Sequence, residues 1–483
     1  MVDLRTVLHL LGLLLAVFGV ALLAPAALDA FAGSQNWIAF LISAGVTFFV
    51  GVAMAVSCAE RGARRVGVRE AFFITTVIWV VSPLFGALPF VLGAPGARFV
   101  DAYFEAMSGL TTTGATVFVG LEQMPPGFLL WRALMQWFGG IGIIVVALAV
   151  FPSLGVGGMQ LFKSESFDTQ GKILPRASAI AASVSWVYLA LTILCALAYS
   201  AAGMDGFDAI THAMTTIATG GFANYDASFG VFGPEAEYAA ILFMALASLP
   251  LVRFVQLLQR EGRRAIVTDT QIATFLGLVA VIVASVAAWR LWQGQGPPEE
   301  VFRRTFFNAL SVMTGTGYAS EDYDAWGAAP VAALFFAGLI GGCSGSATCA
   351  IKVFRFQVLV SAVRAQVRAI HTPSGVFFIR YEGRKVDDAV LSSVISFFYF
   401  FGLTLAVVTV ALAMMGLDPI TALSGAASAL ANIGPGFGPE IGPAGNFANL
   451  PDQAKWLLSA TMVVGRLEVL SVFVLFTAAY WRP

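Results

Sequence analysis

Apolar residues dominate this chain in long runs that polar positions separate. Ten runs reach the roughly 20 residues that an α-helix needs to cross a hydrocarbon core about 30 Å thick. They predict ten membrane spans, at 5–28, 37–58, 71–92, 128–151, 178–202, 236–258, 270–293, 329–360, 389–415 and 453–480. The first run leads into the second without a small-residue cleavage site, so we interpret it as a retained helix rather than a signal peptide.

Four polar octets interrupt this pattern, each at the end of a shorter helical stretch. They read MSGLTTTG, MTTIATGG, LSVMTGTG and ASALANIG, and they align without gaps. One column of the alignment contains Ser108, Thr215, Ser311 and Ser428. The last column contains four glycines, here called the marker glycines: Gly114, Gly221, Gly317 and Gly434. Irregular backbone at membrane depth persists only where it is buried in protein or lines a water-filled path. The octets therefore predict one ion path.

The marker glycines recur at intervals of roughly 100 residues, which indicates one structural unit repeated four times. Each unit reads as a first span, an extracellular loop, a short helix, an octet and a second span. The chain then divides into two N-terminal spans with a basic loop (1–69) and four pore repeats (70–158, 159–268, 269–388 and 389–483). The predicted fold class is an all-α polytopic membrane protein with four pseudo-fourfold helix–pore loop–helix repeats around a central pore, plus two extra N-terminal transmembrane helices.

The ends of the octets have the composition of a cation filter. Rings of backbone carbonyl oxygens can replace the hydration shell of a monovalent cation. Glycine permits the positive φ and the close backbone approach that such a ring needs. We therefore predict a filter centred on the marker glycines, followed inward by Thr113, Gly220, Thr316 and Ile433, and then by Thr112, Thr219, Gly315 and Asn432. The set is completed by Thr111, Ala218, Thr314 and Ala431. We number these filter loops 1 to 4 in chain order: 111–114, 218–221, 314–317 and 431–434.

The short helices contribute to the same prediction. We expect them to begin near acidic residues such as Asp101 and Asp208, which suit a helix N-terminus. Their C-terminal ends then point toward the filter, where the negative end of the helix dipole favours a cation. Coincidental turns or glycines that pack helices together are the alternative explanation for the octets.

Composition and charge support a membrane transporter. The chain is 58% hydrophobic and only 11% charged, outside the usual range of soluble domains. Of its 27 basic residues, 20 lie at the termini or between spans on one side. They are Arg5, Arg61, Arg64, Arg65, Arg69, Lys163, Lys172, Arg176, Arg253, Arg260, Arg263, Arg264, Lys352, Arg355, Arg364, Arg368, Arg380, Arg384, Lys385 and Arg482. The positive-inside rule then places both termini in the cytoplasm. Acidic loops on the opposite side predict a cation-concentrating vestibule, although any exposed loop is polar.

The loop sequences TTTGAT, TGGF, TGYAS and NIGPGFG resemble those of the potassium transporter superfamily that includes TrkH, KtrB and the plant HKT proteins. The resemblance covers essentially the whole chain, and the two extra N-terminal spans are most similar to TrkH. It implies potassium as the substrate, because all four filter positions are glycine, whereas a serine in loop 1 would suggest sodium-preferring plant relatives. It also implies a homodimer in the bacterial inner membrane and a cytoplasmic TrkA-type nucleotide-binding subunit. This chain has no phosphate-binding motif, so no nucleotide is expected to bind it.

Two features predict a gate on the cytoplasmic side of the filter. The run 329–360 is too long for one simple crossing and contains a small polar patch, GGCSGSATCAIK, at 341–352. We predict a broken helix here, and the patch resembles the intramembrane gating loop of the family. The predicted gating residues are Gly341, Gly342, Cys343, Ser344, Gly345 and Ser346. Ala347, Thr348, Cys349 and Ala350 stand where the family commonly has further glycines, which would stiffen the loop. A tightly packed helix interface is the alternative.

Arg466 is the second gating feature, because it lies in the last apolar run. An arginine inside a membrane is costly and normally faces a polar interior. The GRLE sequence resembles the TrkH position at which an arginine projects into the pore. A structural tie from Arg466 to Glu468 or to the backbone is the alternative reading.

Two other classes of function remain to be compared. Gly342-Cys343-Ser344-Gly345 fits the G-x-S-G of some intramembrane serine proteases, but His9, His212 and His371 are poorly placed to act as a base. A secondary transporter for an organic solute would predict inverted repeats and mid-span carboxylates, whereas these repeats are parallel. Within potassium transport, sodium- or proton-coupled symport and less selective potassium/sodium transport stay open.

Overall fold

The computed structural model describes residues 3–59, 68–149, 177–258 and 267–482. Nine of the predicted cytoplasmic basic residues lie outside these ranges: Arg61, Arg64, Arg65, Lys163, Lys172, Arg176, Arg260, Arg263 and Arg264. The predicted boundary between the first two repeats, at 158–159, and residue 1 also lie outside them.

The described residues form α-helices and one small hairpin. The α-helices are Leu4–Ala21, Leu23–Phe31, Trp37–Ser57, Val68–Gly86, Leu88–Leu92, Phe99–Leu110, Pro126–Ala149, Ala177–Ala201, Gly206–Ile217, Pro234–Ala247, Leu251–Leu258, Thr270–Trp292, Pro298–Thr314, Ala328–Ile340, Val353–His371, Asp388–Met414, Pro419–Ala431, Asp452–Arg466, Leu470–Leu475 and Ala478–Trp481. Short 3-10 helices in the described ranges lie at Leu121–Gln123, Ser228–Val231 and Tyr323–Trp326. Two strands, Arg380–Tyr381 and Arg384–Lys385, pair antiparallel with Arg380 opposite Lys385.

Among the described residues, seven helical segments are long and apolar enough to cross a membrane by themselves. They are Leu4–Phe31, Trp37–Ser57, Arg69–Leu92, Pro126–Val146, Ala181–Ala201, Thr270–Trp292 and Asp388–Met414. An eighth crossing results if Pro234–Ala247 and Leu251–Leu257, which meet at a 90° bend, count as one span. The fold is therefore an all-α polytopic membrane fold, as the sequence predicted.

The prediction of ten full spans was wrong for two of the runs, and a third run breaks as its length predicted. The run 236–258 bends sharply at Ser248, where Pro250 removes a backbone donor. The run 329–360 is broken between Ile340 and Val353, as expected. The run 453–480 also breaks, between Arg466 and Leu470. Hydropathy averages over a window, so it detects apolar character but does not detect a local reversal of the backbone.

The four short helices all stand within the described structure, at Phe99–Leu110, Gly206–Ile217, Pro298–Thr314 and Pro419–Ala431. Asp101 and Asp208 lie inside the first turn of the first and second short helices, rather than immediately before them. The side chains that cap the second and fourth short helices are Asp205 and Asp418, which accept backbone N–H bonds there. Each short helix packs against a following helix of its own repeat, which surrounds the octets with protein.

Candidate functional site

The four octets end in the same backbone conformation. In each, the residue before the marker glycine donates its N–H to the carbonyl of the Ser/Thr column. The N···O distances are 2.8 Å for Thr113 to Ser108, 2.9 Å for Gly220 to Thr215, 2.9 Å for Thr316 to Ser311 and 3.0 Å for Ile433 to Ser428. This bond skips over the helix end and satisfies a carbonyl that the helix leaves open. The four loops are therefore equivalent in structure as well as in sequence.

Positive φ values recur at two columns of the filter loops. The first column has φ of 51° at Thr112, 51° at Thr219, 73° at Gly315 and 52° at Asn432. The marker glycines have φ of 84°, 73°, 78° and 108° in chain order. The residues between these columns stay outside the positive-φ set. Positive φ at every second residue lets the carbonyl oxygens of successive peptide groups face one side.

The marker glycines close the four loops into a ring. A Cβ added to Gly114 would overlap the carbonyl oxygen of Gly220, one added to Gly221 would overlap that of Thr316, and one added to Gly317 would overlap that of Ile433. A Cβ on Gly434 would lie 2.8 Å from the carbonyl oxygen of Thr113, which returns the cycle to loop 1. Each loop thus touches the next at the same position, and only glycine permits both the approach and the positive φ.

Side-chain hydrogen bonds stabilise three of the loops, either within one loop or between two loops. Thr111 and Thr113 pair through their hydroxyls at 2.7 Å in loop 1, and Thr314 and Thr316 do so at 2.8 Å in loop 3. Asn432 Nδ2 in loop 4 donates to Thr113 Oγ1 at 2.9 Å, which connects the last repeat to the first. These hydroxyl and amide contacts stabilise loops that have no backbone hydrogen bonds of a helix or sheet to stabilise them.

The second helices of two repeats approach the loops closely through glycines that the sequence analysis missed. A Cβ on Gly139 would overlap the carbonyl of Leu110, and one on Gly465 would overlap the carbonyl of Leu430. Leu110 and Leu430 share an alignment column, so the two contacts are equivalent. The two glycines do not lie at the same distance from their octets, and glycine is frequent in membrane helices, so the sequence carried little signal for them.

On its outer side, the ring opens into a cavity of about 190 Å³. Three marker glycines line it (Gly114, Gly221 and Gly317), and Pro435, the residue after loop 4, lines its fourth side. Asp226 supplies a carboxylate to this lining. Many of the acidic residues expected in a vestibule are instead engaged with basic side chains: Glu105 with Arg132, Glu237 with Arg303, Glu321 with Arg290 and Arg304, and Asp101 with Lys455. The vestibule is less acidic than the loop composition suggested.

On the inner side, segment 341–352 is a buried, irregular connection between two helices. Gly341 and Gly345 have φ of 76° and 77°, so the chain reverses at positions that favour glycine. The segment fills the bend of the second repeat: Cys343 N donates to Ser248 O at 3.1 Å, and Leu251 N donates to Gly345 O at 3.0 Å. A broken helix leaves backbone carbonyls and amides without hydrogen-bond partners, and this segment supplies those partners.

Arg466 is bound to this segment and lies at the inner end of the loops. Arg466 is 2% exposed, and its guanidinium donates to Gly139 O at 3.1 Å, to Ala347 O at 3.4 Å and to Cys349 Sγ. Gly139 is the glycine packed on Leu110, next to loop 1. Arg466 was predicted to lie inside a continuous span, 453–480, whereas it is the last residue of helix Asp452–Arg466. Of the two structural ties considered, the tie to backbone carbonyls is present.

Glu468, the other partner considered for Arg466, belongs to a different buried cluster. It binds Lys352 at 3.0 Å and also Arg355, and all three side chains are nearly inaccessible. Lys352 and Arg355 were expected among the cytoplasmic loop charges, and that placement was wrong for both. Glu468 and Lys352 have φ of 61° and 74°. The cluster joins the break in the last span to the end of segment 341–352. The attraction between Glu468 and the two cations offsets part of the cost of burying these charges.

The enzyme alternative receives no support from the described histidines. His9 Nδ1 lies 2.8 Å from Ala55 O, and His212 Nδ1 lies 2.9 Å from Asp208 O. His371 is exposed at the end of helix Val353–His371. A serine nucleophile needs a base within hydrogen-bond reach, and these rings are occupied or exposed elsewhere.

Comparison with known proteins identifies the family. The model of a cation transport protein family, TrkH, matches residues 38–482. This chain belongs to the TrkH family. The Trk system potassium uptake protein TrkI of Halomonas elongata is 47% identical over 86% of this chain and 84% of its own length. TrkH of Escherichia coli strain K12 is 34% identical over 99% of both chains. The crystal structure of the potassium transporter TrkH from Vibrio parahaemolyticus matches with a TM-score of 0.92 at 31% identity, covering 99% of this chain and 100% of that one.

Family membership agrees with the architecture described above. The relatives are named as transport proteins, and none of the names given describes an enzyme. The chain is therefore a multi-pass membrane component of a cation transport family. Its resemblance to the superfamily, inferred from the four loop sequences, is confirmed.

Proposed function

We propose that this protein takes up potassium ions across the cytoplasmic membrane through a filter made by loops 1 to 4. The observation that carries the proposal is the closed ring, in which each marker glycine meets the carbonyl of the next loop. The choice of potassium as the transported ion is based on relatives that are named as potassium uptake proteins. Sodium- or proton-coupled symport is the second candidate, along with less selective potassium/sodium transport.

The mechanism follows from the geometry of the ring. A potassium ion loses water at the ring and exchanges it for carbonyl oxygens from four sides. The C-terminal ends of the four short helices add the negative ends of their dipoles. The membrane potential contributes about 2.3 kcal/mol per charge per 100 mV, which is enough to drive uptake without a nucleotide bound to this chain.

Flux through the purified protein in liposomes tests this proposal. We expect potassium and rubidium to permeate well and sodium poorly. Gly114→Ser adds a side chain where a Cβ overlaps Gly220 O, so sodium permeation should rise or transport should fail. Gly277→Ser is the control, because Gly277 is exposed on a membrane helix and a Cβ there meets nothing within 4 Å. A wild-type protein without preference for potassium, or an unchanged ratio in Gly114→Ser, contradicts the filter.

Segment 341–352 and Arg466 form the gate in this proposal. The residues concerned are Gly341, Gly342, Cys343, Ser344, Gly345, Ser346 and Arg466. Arg466 places a fixed positive charge next to Gly139, at the inner end of loop 1, where it opposes a passing cation. Its contacts with Ala347 and Cys349 connect that charge to the position of the segment. Movement of the segment therefore moves the charge as well.

The assembly proposed for the chain follows from its family. We infer a homodimer in the bacterial inner membrane with both termini in the cytoplasm, bound to a TrkA-type nucleotide-binding subunit. The division into 1–69, 70–158, 159–268, 269–388 and 389–483 remains part of this proposal. Calorimetry of the isolated protein with ATP and NADH should show no binding. Tight stoichiometric binding without a partner would contradict the assignment of nucleotide to the partner.

A further inference from the structure

Loop 2 differs from the other three filter loops in one respect. At the position before the marker glycine, loops 1, 3 and 4 have the β-branched residues Thr113, Thr316 and Ile433, whereas loop 2 has Gly220. A β-branched side chain restricts the backbone and fills space beside it. Gly220 and Gly221 are consecutive glycines, the most flexible dipeptide available to a filter. The threonine hydroxyl pair of loops 1 and 3 is also missing here, because loop 2 reads Ala218-Thr219-Gly220-Gly221.

Gln136 occupies the place of the missing side chain. It lies on helix Pro126–Ala149 of the first repeat and is fully buried. A Cβ added to Gly220 would overlap the amide group of Gln136. Gln136 therefore supplies from a neighbouring repeat the bulk that the other loops carry themselves.

The amide of Gln136 also binds loop 2 on both sides of its marker glycine. Nε2 donates to Gly220 O at 2.6 Å, and Oε1 accepts from Phe222 N at 3.0 Å. The two partners fix the orientation of the amide, because a carbonyl only accepts and a backbone N–H only donates. Two hydrogen bonds across Gly221 prevent rotation of the peptide groups that contribute the ring oxygens.

We propose that Gln136 is a positioning residue of the filter, which sets potassium selectivity by holding the Gly220–Phe222 backbone of loop 2. The inference rests on the proposed function, because it assigns a role at the same ring. Without Gln136, the Gly220–Gly221 peptide can turn its carbonyl away, since glycine permits that rotation at little cost. The ring then loses one of its four sides.

The chain contains a matched control. Gln271 is also buried on a membrane helix, Thr270–Trp292, but its Oε1 accepts from Ser344 N at 3.0 Å, in segment 341–352. The two glutamines make the same kind of contact with two different loops. Replacement of Gln136 should change ion preference, whereas replacement of Gln271 should change the amount of flux and leave the preference intact.

The experiment compares Gln136→Met with Gln271→Met in liposomes, with potassium and sodium fluxes measured for each folded protein. Methionine keeps the length of the side chain and removes both hydrogen bonds. We expect the potassium/sodium ratio of Gln136→Met to fall roughly tenfold, equivalent to about 1.4 kcal/mol, and that of Gln271→Met to match the wild type. An unchanged ratio in folded Gln136→Met overturns the inference, and so does an equal fall in both variants.

A compensating pair keeps the inference testable if Gln136→Met does not fold. Gly220→Thr alone should impair transport, because the new side chain collides with Gln136. Gln136→Ala combined with Gly220→Thr should recover selectivity, because φ at Gly220 is not positive and threonine restores the bulk in loop 2. A double variant no more selective than Gln136→Ala alone overturns the inference. Wild-type and Gly114→Ser proteins, measured in parallel, show whether such a failure belongs to Gln136 or to the filter itself.

Discussion

The four filter loops are alike, whereas the four second helices that follow them are all different. Every loop repeats the same hydrogen bond, the same pair of positive φ values and the same contact with its neighbour. Among the second helices, Pro126–Ala149 is continuous, Pro234–Ala247 bends by 90° into the next helix, and Ala328–Ile340 ends in segment 341–352. The fourth, Asp452–Arg466, stops before a short break.

This difference corresponds to two different physical tasks. An ion that has lost its water needs oxygens on every side, so each repeat must contribute equally to the ring. An obstruction needs only one side of the path, so one repeat can supply a segment, another a charge and a third the bend into which the segment fits. In the proposed mechanism, symmetry is retained at the filter ring and lost in the segments that would block the path.

The largest effect is expected in the asymmetric inner segments, from the buried charge cluster of Lys352, Arg355 and Glu468. Glu468→Gln removes the buried carboxylate charge that Lys352 and Arg355 share, so we expect a loss of roughly 3 kcal/mol or more in the free energy of unfolding. Denaturation of the purified protein in detergent measures this loss. The ring contains no such cluster within its loops, and potassium preference should survive in the protein that remains folded.

Glu299→Gln provides the control for that variant. Glu299 also binds an arginine, Arg303, but its side chain is 63% exposed. Exposed ion pairs contribute about 1 kcal/mol or less. Equal losses for the buried and the exposed glutamate would show that the Glu468 cluster does not hold the inner segments together.

Arg466 tests whether gating and selectivity are separable. Arg466→Ala removes the positive charge at the inner end of the loops, so we expect potassium flux in liposomes to rise roughly tenfold, which corresponds to about 1.4 kcal/mol of barrier. The potassium/sodium ratio should stay unchanged, because the ring contacts do not involve Arg466. Deletion within segment 341–352 should act in the same direction.

Arg98→Ala is the matched control for the charge, since Arg98 is 61% exposed and binds Asp101 and Asp452 on the outer side. It should leave both flux and ratio as in the wild type. A folded Arg466→Ala protein with wild-type flux would assign the arginine a purely structural role, and a changed ratio would mean that gate and filter are one unit.

The same contrast explains what the sequence could predict. The loops were predictable because four copies of an octet align, and a repeated pattern reveals which column needs glycine. The inner segments exist in single copies, so nothing in the chain indicated that Glu468 binds Lys352 rather than Arg466. The break after Arg466 was missed because Leu467 and Val469 are apolar and keep the run hydrophobic.

The contacts that other helices make with the filter loops could not be predicted from the sequence. Gln136 lies one turn after Arg132 in an otherwise mostly apolar helix, and its partner Gly220 lies in the next repeat. Such a contact depends on how two repeats pack, which no periodicity within one helix records. Gly139 and Gly465 were hidden for the same reason, since their partners are carbonyl oxygens of other helices.

The smallest expected effect concerns the helix caps, where the symmetry of the outer half is itself incomplete. Asp418 caps the fourth short helix by accepting from Ile420 N at 2.9 Å and Thr421 N at 3.2 Å, while the first and third short helices have no side-chain cap. Asp418→Ala should therefore lower the free energy of unfolding by about 1 kcal/mol. Asp387→Ala is the control, because Asp387 precedes helix Asp388–Met414 without making a cap bond.

The pH dependence of that loss distinguishes a cap from a simple surface change. The polar groups of Thr421, together with the backbone N–H bond from Ile420, hold the pKa of Asp418 below its ordinary value. A carboxylate with a lowered pKa in the folded state stabilises the fold above its unfolded pKa, and this stabilisation disappears as the pH falls through the folded pKa. The difference between wild type and Asp418→Ala should thus be present at pH 7 and shrink in acid. A difference that stays constant across this range would show that Asp418 acts through packing and not as a charged cap.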